Sequence, residues 1–243
     1  MSPPPPGWRL QHFESLDSTQ TLCRRLAEAG EPERLAVVAR RQTGGRGTQG
    51  RAWVSPPGNL FLSVLLRPTE PARAAAQWSL LAAVALIETL TPHTTPHGAR
   101  LRLKWPNDVL RDGAKLAGIL TESGTDAAGG LAWLVIGVGV NVATAPELAD
   151  RPTSCLGGAI EAADLVGPFL TALDRWRHLR LRDGFAPIRA AWLARAPDLG
   201  SHISLRRGDA TLVGGAFAGL DEEGHLLLSA GGRVRAFASG ETA

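Results

Sequence analysis

Gln42-Thr43-Gly44-Gly45-Arg46-Gly47-Thr48-Gln49-Gly50-Arg51-Ala52-Trp53 packs four glycines and two arginines into twelve residues and ends on tryptophan. Glycine allows backbone conformations and close approaches that side chains forbid. Arginine presents a rigid fork of donors to carboxylate or phosphate oxygens. Such a segment suits a mobile loop closing over an anion. Taken alone, it equally suits a flexible basic hairpin tip. Gly45 and Gly50 have P-loop spacing, but Arg51 and Ala52 stand where that motif needs Lys and then Ser or Thr, and alanine cannot ligate magnesium. Gly45-x-Gly47-x-x-Gly50 also matches a dinucleotide fingerprint, yet Ser55-Pro56-Pro57-Gly58 follows where that motif needs a helix.

The flanking sequence reads as alternating strands and helices. Strands are expected at 8–14, 35–40, 59–67, 100–105, 115–122 and 131–142, the last a nearly continuous apolar run buried on both faces. A helix capped by Asp17 or Ser18 should run to about Gly30, and a buried alanine-rich helix from Glu70 should end at Pro92. Ala159–Arg182, broken at Pro168, and Pro187–Ala196 also read as helical. From Leu199 the texture changes to short β runs between glycine-rich turns: His202–Arg206, Ala210–Leu220, His225–Ser229 and Arg233–Ala238. The expected fold is therefore α+β, with a mixed, largely antiparallel sheet and helices, plus a small C-terminal β-barrel domain. Residues 1–7 read as a disordered proline-rich tail, 8–198 as the catalytic domain and 199–243 as the β domain.

Composition bounds the function. The 243 residues are 44% hydrophobic and carry a formal net charge of +3 without a long basic block. Only the basic isoelectric point, near 9.5, favours a nucleic-acid partner, and mixed charges argue against one. Cys23 and Cys155 are far apart in the chain and form no CxxC, which argues against a disulfide framework and a zinc site. No apolar run approaches a membrane span and the amino terminus lacks a signal-peptide core, so a cytoplasmic location is expected.

Three further clusters carry chemistry. Lys104-Trp105-Pro106-Asn107-Asp108 ends a strand in a turn that sets an amide beside a carboxylate. Asp108 could hold Mg²⁺ and Asn107 orient a phosphate, though both are ordinary turn formers. Lys115 heads Lys115-Leu116-Ala117-Gly118-Ile119-Leu120-Thr121-Glu122, seven residues past Asp108 and across an expected hairpin with its tip at Arg111-Asp112-Gly113. It either reaches the Asp108 site or guards an edge strand. Gly137 and Gly139 leave one face of a buried strand bare, where a flat ligand or a packed helix could lie, with Asn141 beyond them.

In this order, together with Asp17-Ser18-Thr19-Gln20 and the closing Ser239-Gly240-Glu241, the clusters resemble the biotin–protein ligases (biotin–[acetyl-CoA-carboxylase] ligases) over roughly residues 8–240. The resemblance implies a class II synthetase-like catalytic fold with an SH3-like C-terminal domain. It implies ATP-dependent formation of biotinyl-5′-AMP, then transfer to a lysine of a biotin carboxyl carrier protein domain. It implies Mg²⁺ with ATP, and a monomer or homodimer. The fold starting near residue 8 points to the enzyme-only type, without an N-terminal DNA-binding domain. The alternatives are a lipoate–protein ligase-like acyltransferase and a non-catalytic vitamin-binding module.

By resemblance, Lys115 and Arg46 are catalytic. Ser18, Thr19, Gln20, Gln42, Arg46, Gly47, Thr48, Lys115 and Gly118 would bind biotin. Arg46, Trp53, Asn107, Asp108, Lys115 and Asn141 would bind ATP or the adenylate, with Asp108 on the metal. Two positions depart from the family pattern. Gln20 stands where Asn is usual, and Thr48 where Arg is common. Gly47 is expected to supply a backbone conformation closed to other residues when the loop shuts.

Overall fold

The computed structural model describes residues 3–94, 98–157, 160–209 and 211–242. A seven-stranded sheet is built from β1 (Arg9–Phe13), β2 (Leu35–Ala39), β3 (Leu60–Leu66), β4 (Leu101–Lys104), β5 (Asp108–Arg111), β6 (Ala114–Thr125) and β7 (Leu131–Val140). Their order is β1-β2-β3-β7-β6-β5-β4. Only β1 and β2 run parallel; every other pair is antiparallel. The apolar run at 131–140 is the central strand, as its composition requires.

Alternation along the strands sorts the two faces. Leu60, Leu62, Val64 and Leu66 of β3, with Leu134, Ile136, Val138 and Val140 of β7, enter the main core. That core is covered by α2 (Ala75–Thr94), α3 (Val166–Asp183) and α4 (Ala186–Leu193). The opposite face receives one helix, α1 (Thr19–Glu28), whose Cys23 and Ala27 pack on Leu35, Val37, Leu65 and Val135. Ser18 is its N-cap, accepting from the Thr21 N–H. Asp17 is not the cap.

Three expectations need correction. Pro92 lies inside α2, which continues to Thr94. It forfeits one hydrogen bond in the last turn, where little helix remains to lose. Pro168 does not break α3; it occupies the first turn, where a missing N–H has no intrahelical acceptor to leave. The apolar stretch Ala72–Thr94 is long and apolar enough to cross a membrane by length and composition, contrary to the sequence reading. It is a core helix, buried between the sheet and α3. The expected helix start at Ala159 and strand start at Ala210 fall outside the described residues.

The second sheet comprises β8 (His202–Arg206), β9 (Leu212–Leu220), β10 (Leu226–Ala230), β11 (Arg233–Phe237) and β12 (Glu241–Thr242), ordered β11-β10-β9-β8-β12 and wholly antiparallel. This is consistent with the expected SH3-like β unit. It meets the first unit at α4 and at the turn between β4 and β5. Trp105 Nε1 donates to the Gly224 carbonyl at 3.1 Å, and Thr242 Oγ1 donates to the Trp105 carbonyl at 2.7 Å. At the other end of the chain, the Pro5 and Pro6 carbonyls accept from Trp8 N and Arg34 Nη1.

Both thiols are free. Burial pushes the Cys23 thiol up to about 12, so it is neither ionised nor reachable at neutral pH. In the native protein at pH 8, a maleimide should label the partly exposed Cys155 and leave Cys23 untouched until denaturant is added. Equal labelling of both sites, read by peptide mass mapping, would show that α1 does not pack as described.

Candidate active site

Strand register builds the floor of the site. Phe61 of β3 pairs with Gly139 of β7, Gly139 with Gly118 of β6, Gly118 with Asp108 of β5, and Asp108 with Lys104 of β4. Residues directly opposite in a sheet project to the same side. One row therefore runs across five strands, with two bare glycines at its centre. A second row is Ser63, Gly137 and Leu120; a third is Leu65, Val135 and Glu122. This is the face on which α1 lies, and α1 leaves the first row open.

The expected hairpin brings Lys115 back to Asp108. Lys115 Nζ lies 2.6 Å from Asp108 Oδ1, with side chains only 16% and 10% exposed. A pocket of about 40 Å³ is bounded by Ser18, Arg46, Lys115 and the glycine rows. It is lined by the whole expected biotin set (Ser18, Thr19, Gln20, Gln42, Arg46, Gly47, Thr48, Lys115, Gly118) together with Trp53 and Asn107.

Beneath the pocket, polar side chains form a connected network. Thr19 N and Oγ1 both donate to Gln42 Oε1, at 2.8 and 3.1 Å. Gln42 Nε2 donates to Ser55 Oγ, which donates to the Trp53 carbonyl. Ser63 Oγ lies 3.1 Å from Gln20 Oε1 and 2.9 Å from Thr19 Oγ1, and the single protons of the two hydroxyls are shared among these contacts and the one to Gln42. Ser63 and Ser55 are absent from the sequence-derived set. A lone serine inside the apolar run Leu60–Leu66 was the available signal, because a fully buried hydroxyl needs partners.

The glycine-arginine loop is an ordered cover. Gly47 N donates to Arg51 O and Trp53 N to Gly45 O, so the loop pairs with itself around a turn at Thr48–Gly50. The positive φ angles fall on Gln49 (57°) and Gly50 (73°). Gly47 is extended, with φ −113° and ψ −175°. The expectation for Gly47 is thus corrected: any residue can take that backbone, and what an added Cβ would meet is Arg51, its carbonyl oxygen at a tight 3.3 Å and its carbonyl carbon and Cβ at 3.9 Å.

The bare strand face is not left for a ligand alone. A Cβ on Gly139 would stand 2.5–2.7 Å from Trp53 indole atoms, and one on Gly137 would stand 2.5 Å from Gln20 Oε1. Trp53 lies flat where the sequence suggested a flat ligand, with Lys115 Nζ 5.5 Å from its ring centroid. Asn107 Nδ2 donates to the Ile119 carbonyl at 2.6 Å, and the Ile119 N–H returns to Asn107 O, so this amide also clamps β6. Asn141 Nδ2 donates to Ser154 O at 3.1 Å and Lys115 O at 3.5 Å, while its buried Oδ1 has no partner among the described residues.

Beyond Trp53 opens a larger cavity of about 270 Å³, lined by Lys115, Asn141, Leu148, Arg151 and the loop. Here the second sheet contributes. Arg51 Nη1 donates to both oxygens of Glu241, at 2.7 and 3.0 Å, and Arg151 Nη1 donates to Glu241 Oε1 at 2.7 Å. Burial pushes the Glu241 carboxyl up, but the hydrogen bonds from Arg51 and Arg151 outweigh it and hold it below the ordinary value of 4.5. The clasp's contribution is complete above that ordinary value and fades as pH falls through the lower, folded one. Burial lowers the Lys104 ammonium; Asp108 opposes this and Arg151 adds to it. Arg151, Glu122 and the Glu241 clasp were not foreseen as site features.

The profile of the Biotin/lipoate A/B protein ligase family matches residues 12–141. A biotin–[acetyl-CoA-carboxylase] ligase from Paracoccus denitrificans is 44% identical over 201 residues, covering 79% of this chain and 82% of the relative. The chain belongs to this family. A second biotin–[acetyl-CoA-carboxylase] ligase, from Mycobacterium tuberculosis, is 33% identical over 97% of this chain and 89% of its own length. Among solved structures, a biotin protein ligase from Aquifex aeolicus in complex with biotin and ATP superposes with a TM-score of 0.81 at 28% identity, covering 97% of each chain. Within the family these matches are to biotin ligases, and a lipoate ligase is not favoured.

The packing of Trp53 generates a direct test. Gly139→Ala should evict the indole and cost about 1–3 kcal/mol of stability, measured by urea unfolding. Gly118→Ala, where the nearest indole atom is 3.0 Å away, should cost less. Equal, negligible losses in both variants would contradict the packing of Trp53 on the glycine row.

Proposed function

We propose that this chain joins biotin to ATP as biotinyl-5′-AMP and then passes the biotinyl group to a carrier-domain lysine. The observation that carries this reading is Lys115, held by Asp108 where the small polar pocket meets the larger cavity. The polar floor of Thr19, Gln20, Gln42 and Ser63 offers donors and acceptors to a urea-like ring. The larger cavity takes the nucleotide, with Asn141 Oδ1 as an acceptor for the adenine amino group and Trp53 as an aromatic wall.

In the first step a biotin carboxylate oxygen attacks the α-phosphorus, and the bond to pyrophosphate breaks. Two unit negative charges 4 Å apart repel by about 4 kcal/mol at an effective dielectric of 20. Lys115 from the strand and Arg46 from the loop supply the compensating charge where the two anions meet. In the second step a lysine amine attacks the acyl carbon and AMP departs. Between the steps the mixed anhydride must be kept from water, which is the work of the loop. The acceptor is a biotin carboxyl carrier protein domain.

Asp108 is one carboxylate that already holds an ammonium, a thin donor set for a resident Mg²⁺. It fits an ion arriving with ATP, whose phosphates supply further oxygens. Such an ion would screen the phosphate charge, and Asp108 would be its protein ligand.

Incubation with biotin, Mg²⁺-ATP and a purified carrier domain should add one biotinyl group to one carrier lysine, read by intact mass. No mass gain would refute the assignment. Lys115→Ala should lower biotin-dependent ATP–pyrophosphate exchange by about 10²–10³-fold. Because that change also strips Asp108 of its partner, the variant's thermal melt is recorded alongside; normal exchange in a folded variant removes Lys115 from the chemistry. Thr48→Arg should slow escape of the adenylate into solvent, measured by hydroxylamine trapping. Equal escape from both proteins would show that the missing charge is immaterial.

A further inference from the structure

Arg46 does not hang free over the pocket. Its guanidinium forks onto Glu122, Nη2 donating to Oε1 at 2.9 Å and Nη1 to Oε2 at 3.1 Å. Glu122 lies two positions beyond Leu120 on β6, and register places it in the row Leu65, Val135, Glu122 on the face of the site. Going along that face of β6, Gly118 receives the Trp53 ring and Glu122 receives Arg46. Arg51, at the far limb of the loop, is held by Glu241. The loop therefore docks at three points: an indole on glycine in the middle and an arginine on a carboxylate at either margin.

We propose that Glu122 is a positioning residue that latches the loop shut over the activated intermediate, an inference that rests on the ligase reading above. Glu122 does not line the pocket and acts through Arg46. The Arg46 and Glu122 side chains are 39% and 21% exposed. An ion pair so placed contributes little to global folding. It acts instead on the local balance between an open and a closed loop, where a small free energy is a sizeable population change. The bidentate geometry also fixes the guanidinium plane, so Arg46 meets the reacting carboxylate in one orientation rather than many. The opposite arrangement is equally specific chemically. Glu122 could compete with the substrate carboxylate for the same fork, and its removal would then tighten binding.

Glu122→Gln preserves size and removes the charge; Glu122→Asp preserves the charge on a shorter stem. The experiment compares both with the wild type in three readouts: biotin-dependent pyrophosphate exchange, hydroxylamine trapping of escaped adenylate, and trypsin cleavage after Arg46 and Arg51. For Glu122→Gln, escape and cleavage should rise about 1.5- to fivefold, the range one exposed ion pair can shift. The biotin KM should rise more than the kcat of exchange falls, and Glu122→Asp should recover part of each change. A lowered biotin KM would overturn the latch and make Glu122 a competitor. Unchanged escape and cleavage would overturn it and leave an idle surface pair. Absence of exchange in the wild type would instead remove the ligase reading beneath it.

Discussion

The pairing of β3, β7, β6 and β5 sets Phe61, Gly139, Gly118 and Asp108 side by side, and the site follows from that register. A slip of one residue on β6 would turn Gly118 inward and present Ala117 and Ile119, both core residues, to the loop. The two glycines remove side chains where an indole must lie flat. The neighbouring position supplies the carboxylate that fixes Lys115. Charge and shape are thus set by the sheet, and the loop has only to fall onto them.

The floor and the cover are built by different physics. The floor is a buried polar network in which Thr19, Gln20, Gln42, Ser55 and Ser63 satisfy one another. Such a network is rigid because breaking any member strands another. The cover is held by exposed or half-exposed arginine–carboxylate pairs and by one ring on glycine. Those contacts are individually weak and solvent-screened. A rigid receiver under a loosely fastened lid is the mechanical requirement of a reaction that admits two substrates, guards an unstable intermediate and then admits a protein.

Much of this was legible in the residues. The central strand, the hairpin returning Lys115 to Asp108, the glycine positions and the change of texture near residue 199 all follow from local pattern. The errors were also local in cause. Pro92 and Pro168 were read as breakers, because sequence does not show that each falls in an end turn. Gly139 was read as room for a flat ligand or a packed helix, because nothing in the chain order says that Trp53, eighty-six positions earlier, folds back onto it. Glu122 and Arg151 were passed over, because an isolated charged residue announces a partner only once the strand rows and the second sheet are placed. Ser63 was readable in principle, since a hydroxyl in the middle of Leu-Phe-Leu-Ser-Val-Leu-Leu demands an explanation.

Glu241 belongs to the last strand of the chain yet grips Arg51 and Arg151, which come from two separate segments of the first unit. Chimaeras between relatives that cut near residue 199 would split this three-residue agreement between two parents. A shuffled protein would then fold soundly in both halves while its lid loses one of the three points that hold it down.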